Sequence, residues 1–79
     1  MTIGEKHKLT LEVTSVPDRD DVVVELWLGP EMMAELRHEH EDLRVQFYPS
    51  RDGRPWDLSY AELLSALQRA RSELKGSGP

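Results

Sequence analysis

Three short runs in this 79-residue chain combine residue types that can do chemistry. In His38-Glu39-His40-Glu41-Asp42 the alternate histidines would point the same way from a strand, and imidazole beside carboxylate suits zinc or nickel. A hairpin tip, however, lacks the ordered outer partners that fix a ligating imidazole, and the remaining histidine, His7, lies in the N-terminal tail. A solvated turn is the expected state of this run. Arg51-Asp52-Gly53-Arg54 sets two guanidiniums beside a glycine turn, an arrangement that can hold phosphate. It lacks the glycine-rich link from strand to helix of nucleotide folds, and Pro55 removes one amide, so it is expected to be a surface loop. The third run, Pro17-Asp18-Arg19-Asp20-Asp21, is acidic turn chemistry. None of the serines Ser15, Ser50, Ser59 and Ser65 has a histidine within reach of the expected topology. There is no cysteine to act as nucleophile, disulfide or metal thiolate, which also fits a reducing, cytoplasmic setting. The residues therefore predict no enzyme, no bound metal and no cofactor.

The elements that must position these runs follow from periodicity. Leu9, Leu11 and Val13 alternate with Thr10, Glu12 and Thr14. Val22, Val24, Leu26 and Leu28 alternate with Val23, Glu25 and Trp27, and Leu43, Val45 and Phe47 with Arg44, Gln46 and Tyr48. Beyond Trp56, expected to lid the core, Leu58-Ser59-Tyr60-Ala61-Glu62-Leu63 carries a capping box within a hydrophobic staple. Tyr60, Leu63, Leu64, Leu67, Ala70 and Leu74 then form a helical apolar stripe over 59–75, closed by Gly76.

Residues 31–42 read two ways. Met32, Met33, Leu36, His40 and Leu43 share a helical face, and Met, Ala, Glu and Leu are good helix formers. Pairing favours a strand with Met32, Ala34 and Leu36 inward and Met33, Glu35 and Arg37 outward. That strand would follow a three-residue Gly29-Pro30-Glu31 loop and precede a four-residue 38–41 loop. Arg37 would then face Asp42 and Glu35 would face Arg44, two favourable pairs. The expected fold is α+β: a four-stranded antiparallel meander with one C-terminal amphipathic helix on one face, ββββα, the alternative being ββαβα with 31–42 helical. Residues 1–6 and 76–79 read as tails around a single domain, 7–75.

Charge and exposure then suggest where such a domain acts. Residues 1–42 carry 4 basic and 11 acidic side chains, a balance of −7, whereas residues 43–79 carry 6 and 4, a balance of +2. A net charge of −5 disfavours nucleic acid or an anionic membrane as partner. The longest apolar runs, Val22-Val23-Val24 among them, are far below the roughly 20 residues of a membrane span, and no secretory signal pattern opens the chain. A meander brings its first and third turns to one end of the sheet. Asp18, Asp20 and Asp21 would there join Glu39, Glu41 and Asp42 in an acidic rim that steers a basic partner. On the uncovered sheet face Trp27, Met33 and Tyr48 would anchor it, with Trp27 and Met33 as cross-strand neighbours. Glu25 and Glu35 would lie directly opposite, a like-charge pair.

The segments Val22-Val23-Val24-Glu25-Leu26-Trp27, Ala34-Glu35-Leu36, Val45-Gln46-Phe47-Tyr48-Pro49, Asp52-Gly53 and Pro55-Trp56-Asp57-Leu58, followed by the amphipathic helix, resemble short bacterial proteins of the toxin-system immunity type. That resemblance covers roughly residues 20–75 and carries no catalytic motif. It implies a meander-plus-helix fold and a toxin-neutralising role. The function expected is a non-catalytic protein-binding module, an immunity-type inhibitor of a basic toxin domain. The alternative is a structural homo-oligomer subunit packing through its exposed sheet face.

Overall fold

The computed structural model describes residues 8–15 and 22–76, with side chains to Leu74. The expectations placed on 1–7, on 16–21 and on 77–79, including Asp18, Asp20 and Asp21, lie outside the described residues. Strands β1 (Leu9–Ser15), β2 (Val22–Leu28), β3 (Glu31–Glu39) and β4 (Asp42–Phe47) form one antiparallel sheet in the order β1-β2-β3-β4, and helix α1 (Tyr60–Gly76) follows. The chain is thus an α+β ββββα domain, and pairing decides residues 31–42 in favour of a strand.

Two turns differ from the expected lengths, and each shifts a register. The β2–β3 link is a two-residue turn, Gly29-Pro30, with Leu28 opposite Glu31 and Trp27 opposite Met32. Gly29 has φ 62°, a backbone that glycine adopts without steric cost. A turn one residue shorter than expected would carry Ala34 and Leu36 to the wrong face, because side chains alternate along a strand. A bulge between Leu26 and Trp27 prevents this: Ala34 pairs with Leu26, Met32 with Trp27, and Met33 has no opposite residue. Met33 therefore turns inward and is fully buried, at 0% exposure. The expected places of Met32 and Met33 are exchanged, and Trp27 has Met32 as its cross-strand neighbour.

The β3–β4 turn is also two residues, His40-Glu41, with His40 at φ 61°. Strand β3 runs two residues further than expected, to Glu39, which pairs with Asp42, and the register moves by two. Arg37 consequently faces Arg44 instead of Asp42, and Glu35 faces Gln46 instead of Arg44.

Helix α1 begins as its capping box predicts. The Glu62 amide donates to Ser59 Oγ at 3.2 Å, and the Leu63 amide to the Ser59 carbonyl at 3.0 Å. Leu58 and Leu63 pack on the cluster formed by Leu26, Met33, Ala34 and Ala66, which Trp56 also covers. A second cluster, Val24, Leu36, Ala70 and Leu74, is flanked by Val22, Leu43 and Leu67. The helix lies over β1, β2 and β3, and of β4 only Leu43 packs against the cluster beneath it. A helix about 10–12 Å across covers about two strands spaced about 4.8 Å apart, so a four-stranded face is wider than one helix. Val45 and Phe47, expected in the core, accordingly remain 41% and 50% exposed on the helix-bearing face. Val13, Tyr60 and Leu64 are likewise exposed instead of buried.

Candidate protein-binding faces

The sheet face opposite α1 gathers the polar chemistry of the chain. Glu12 pairs with Glu25, Glu25 with Glu35, and Glu35 with Gln46, so three carboxylates form one row across β1, β2 and β3. Residues directly opposite in a sheet have Cβ atoms about 4.5–5.5 Å apart, at which like charges destabilise the pairing. Beside this row Thr10, Trp27 and Met32 form a second. Trp27 Nε1 donates to Glu25 Oε1 at 3.0 Å, and Tyr48 Oη donates to Glu35 Oε1 at 2.9 Å. Both aromatic rings are half-buried and oriented by the acidic row itself. Donation to Glu35 favours the neutral phenol and raises the Tyr48 pKa above its ordinary 10.0, with desolvation and the Glu35 charge acting in the same direction.

Arg37 supplies the facing positive charge. Its guanidinium lies 3.6 Å from Glu35 and 3.7 Å from Glu39, and donates to Gln46 Oε1 at 2.9 Å. Arg44, opposite Arg37, lies 3.4 Å from Asp42. Glu25 and Glu12 carry no such partner among the ion pairs of the described residues.

Of the expected rim, Glu39, Glu41 and Asp42 are exposed at the β3–β4 turn, at the sheet end where β1 finishes and β2 begins. Of the expected anchors, Trp27 and Tyr48 stand on the outer face, and Met33 does not. Met32 takes its place. Among the described residues, no group of three or more His, Asp and Glu side chains could hold a metal ion, and no polar or charged residue is buried.

The loop after β4 serves its own backbone. Asp52 Oδ1 accepts from Ser50 Oγ at 3.2 Å and from the Arg54 amide at 3.1 Å, with Gly53 at φ 78°. The Arg54 amide chiefly holds the Asp52 carboxyl below its ordinary range. Ser50 Oγ also bonds the Arg54 carbonyl, and the Arg51 amide donates to Glu31 Oε1 at 2.8 Å. Trp56 Nε1 donates to the Tyr48 carbonyl at 2.7 Å, tying the loop to the strand end as it lids the core. An open hollow of ≈ 340 Å³ between β1 and α1 is lined by Leu9 and Ala66, with Lys8, Glu62 and Arg69 at its rim.

Sequence reasoning identified Glu25 opposite Glu35 but missed the extension of the row to Glu12, which needs the β1–β2 register. It also missed the Tyr48–Glu35 and Trp56–Tyr48 bonds, which join residues 13 and 8 positions apart. Comparison with family models, curated protein sequences and solved structures returned no match for the chain.

Proposed function

We propose that this chain is a non-catalytic protein-binding module that docks a basic partner on its outer sheet face, in the manner of an immunity-type inhibitor of a basic toxin domain. The observation that carries this reading is the Glu12–Glu25–Glu35 row. Three carboxylates abreast cost stability in the free domain, and a partner's Arg or Lys side chains laid across them would relieve that cost. The half-buried rings of Trp27 and Tyr48, already held by Glu25 and Glu35, supply apolar contact area with little ordering left to lose on binding. Glu39, Glu41 and Asp42 extend the negative field along the sheet end and would raise the association rate more than the final affinity.

The experiment is calorimetric titration of the chain against catalytic domains of basic bacterial toxins at low and high salt, starting with any encoded beside it. Affinity is expected to fall with salt and to weaken in Glu25→Gln and Glu12→Gln variants. Binding indifferent to both salt and these substitutions defeats the reading.

A further inference from the structure

The β4 edge carries an inference independent of the outer face. Natural edge strands are blunted by lysines, prolines, bulges or covering elements. β4 has few of these: its register with β3 is unbroken, it contains neither Lys nor Pro, its charged side chains Asp42 and Arg44 both lie on the outer face, and α1 leaves Val45 and Phe47 uncovered. Its inner face shows Val45 and Phe47 half-exposed, and the flank of α1 turned away from β1 adds exposed Leu64.

The hydrogen-bond phase of this edge can be read from one contact. The Tyr48 amide donates to the Met33 carbonyl at 2.9 Å, and Tyr48 and Met33 continue the β3–β4 register. In an antiparallel ladder alternate residues bond to the same neighbour. Asp42, Arg44 and Gln46 therefore bond to β3, whereas Leu43, Val45 and Phe47 aim their N–H and C=O groups out of the sheet. Among the described residues nothing pairs with these three, an unfilled half-ladder.

We propose that the occupant of this edge is a second copy of the chain, with β4 pairing antiparallel to β4 about a two-fold axis at Val45. That register sets Val45 opposite Val45 of the other copy and Leu43 opposite Phe47, so all outward groups of the three residues are bonded. It also sets Arg44 opposite the Gln46 amide. Centring the axis on Arg44 would oppose two guanidiniums. Centring it on Gln46 would move Leu43 opposite Pro49, which has no donor. The charge pattern disfavours the first of these and the donor pattern the second, and both accommodate Val45 on the axis, the register that pairs all three outward residues. Five paired residues span about 17 Å. With the half-exposed flanks of Val45 and Phe47, the contact is smaller than the roughly 1,200–2,000 Å² of a standard interface, which matches a dimer that forms at high concentration and dissociates on dilution.

The absence of cysteine makes the test clean. Opposed residues of a bonded antiparallel pair have Cα atoms about 5.5 Å apart, within disulfide range. Val45→Cys, at a half-exposed position, is expected to oxidise to a covalent dimer at least about tenfold faster than Ser72→Cys on the exposed helix face, because pairing concentrates the thiols. A mixture of Leu43→Cys and Phe47→Cys is expected to cross-link more readily than either alone. Sedimentation of the wild-type chain is expected to show reversible dimers at high concentration, and Val45→Lys, checked for folding by circular dichroism, to remain monomeric. A wild-type chain that stays monomeric at every concentration overturns the proposal, as does a Val45→Cys variant that oxidises no faster than Ser72→Cys. A dimer that Val45→Lys leaves intact also overturns it and points to another face.

Discussion

Replacing Met33 and Met32 separately by alanine tests the bulge. Met33 is fully buried among Leu26, Ala34 and Ala66, with Trp56, Leu58 and Leu63 packed around the cluster. Large-to-small changes at such sites cost about 2–5 kcal/mol, the value depending on how far the surroundings collapse. Here Trp56 and Leu58 come from the segment before α1, which can subside into the space, so the lower half of that range, about 2–3 kcal/mol, is expected for Met33→Ala. A domain of this length has about 4–12 kcal/mol in all, and the loss would lower its melting temperature by roughly 10 °C or more. Met32 is half-buried on the outer face beside Trp27. Truncating it returns part of a side chain to water and should cost about 1 kcal/mol or less. Urea denaturation followed by circular dichroism measures both, with an unchanged slope showing that the change lies in stability. Lysine sharpens the contrast: Met32→Lys should fold, and Met33→Lys should not. If Met32→Ala costs as much as Met33→Ala, the strand alternates without interruption and the bulge argument fails.

Three further outcomes follow from the same contacts. Ser59→Ala removes the acceptor for the Glu62 amide and should lower stability by about 1 kcal/mol in thermal melting. Glu25→Gln keeps an oxygen for the Trp27 indole while removing the centre of the acidic row, and should raise stability by about 0.2–1 kcal/mol; Glu35→Gln should gain less, since Glu35 also sits 3.6 Å from Arg37. The raised Tyr48 pKa gives a contribution that is complete below the unfolded value near pH 10 and is lost as pH rises through the folded value. Phenolate absorbance in a Tyr60→Phe background should therefore show Tyr48 ionising above 10.0, moving back toward that value when Glu35→Gln is added.

The strands and the helix were legible because each has a strong local signature. Ser59, Glu62, Leu58 and Leu63 mark the helix start, and the alternation of Val22 to Leu28 marks a strand irrespective of its neighbours. Propensity misdirected at Met32–Leu36, where good helix formers sit in a strand because both neighbours offer backbone partners. What the sequence did not disclose is register. Whether Gly29-Pro30 or Gly29-Pro30-Glu31 forms the turn differs by one residue, and that residue decides whether Met32 or Met33 faces inward. The same blindness hid the true opposite of Arg37, which depends on whether the His38–Glu41 run turns in four residues or two. Exposure of Val45 and Phe47 was equally hidden, since alternation says which face a residue takes and not how wide a helix is.

The unpaired residue at Met33 also constrains how this chain can change length. The short Gly29-Pro30 turn and the bulge shift strand phase by one residue each, and they cancel at Ala34. Deletion of Met33 alone would leave Leu28 opposite Glu31, Trp27 opposite Met32 and Leu26 opposite Ala34, an unbulged strand with Ala34 and Leu36 still inward that lacks only the buried Met33 side chain. A residue added to the turn alone would lengthen the loop to three and leave the same pairs and the bulge in place. Length variation is therefore expected at Met33 or in the turn, each without the other, whereas a lone gap between Ala34 and Leu36 would carry one of them to the outer face.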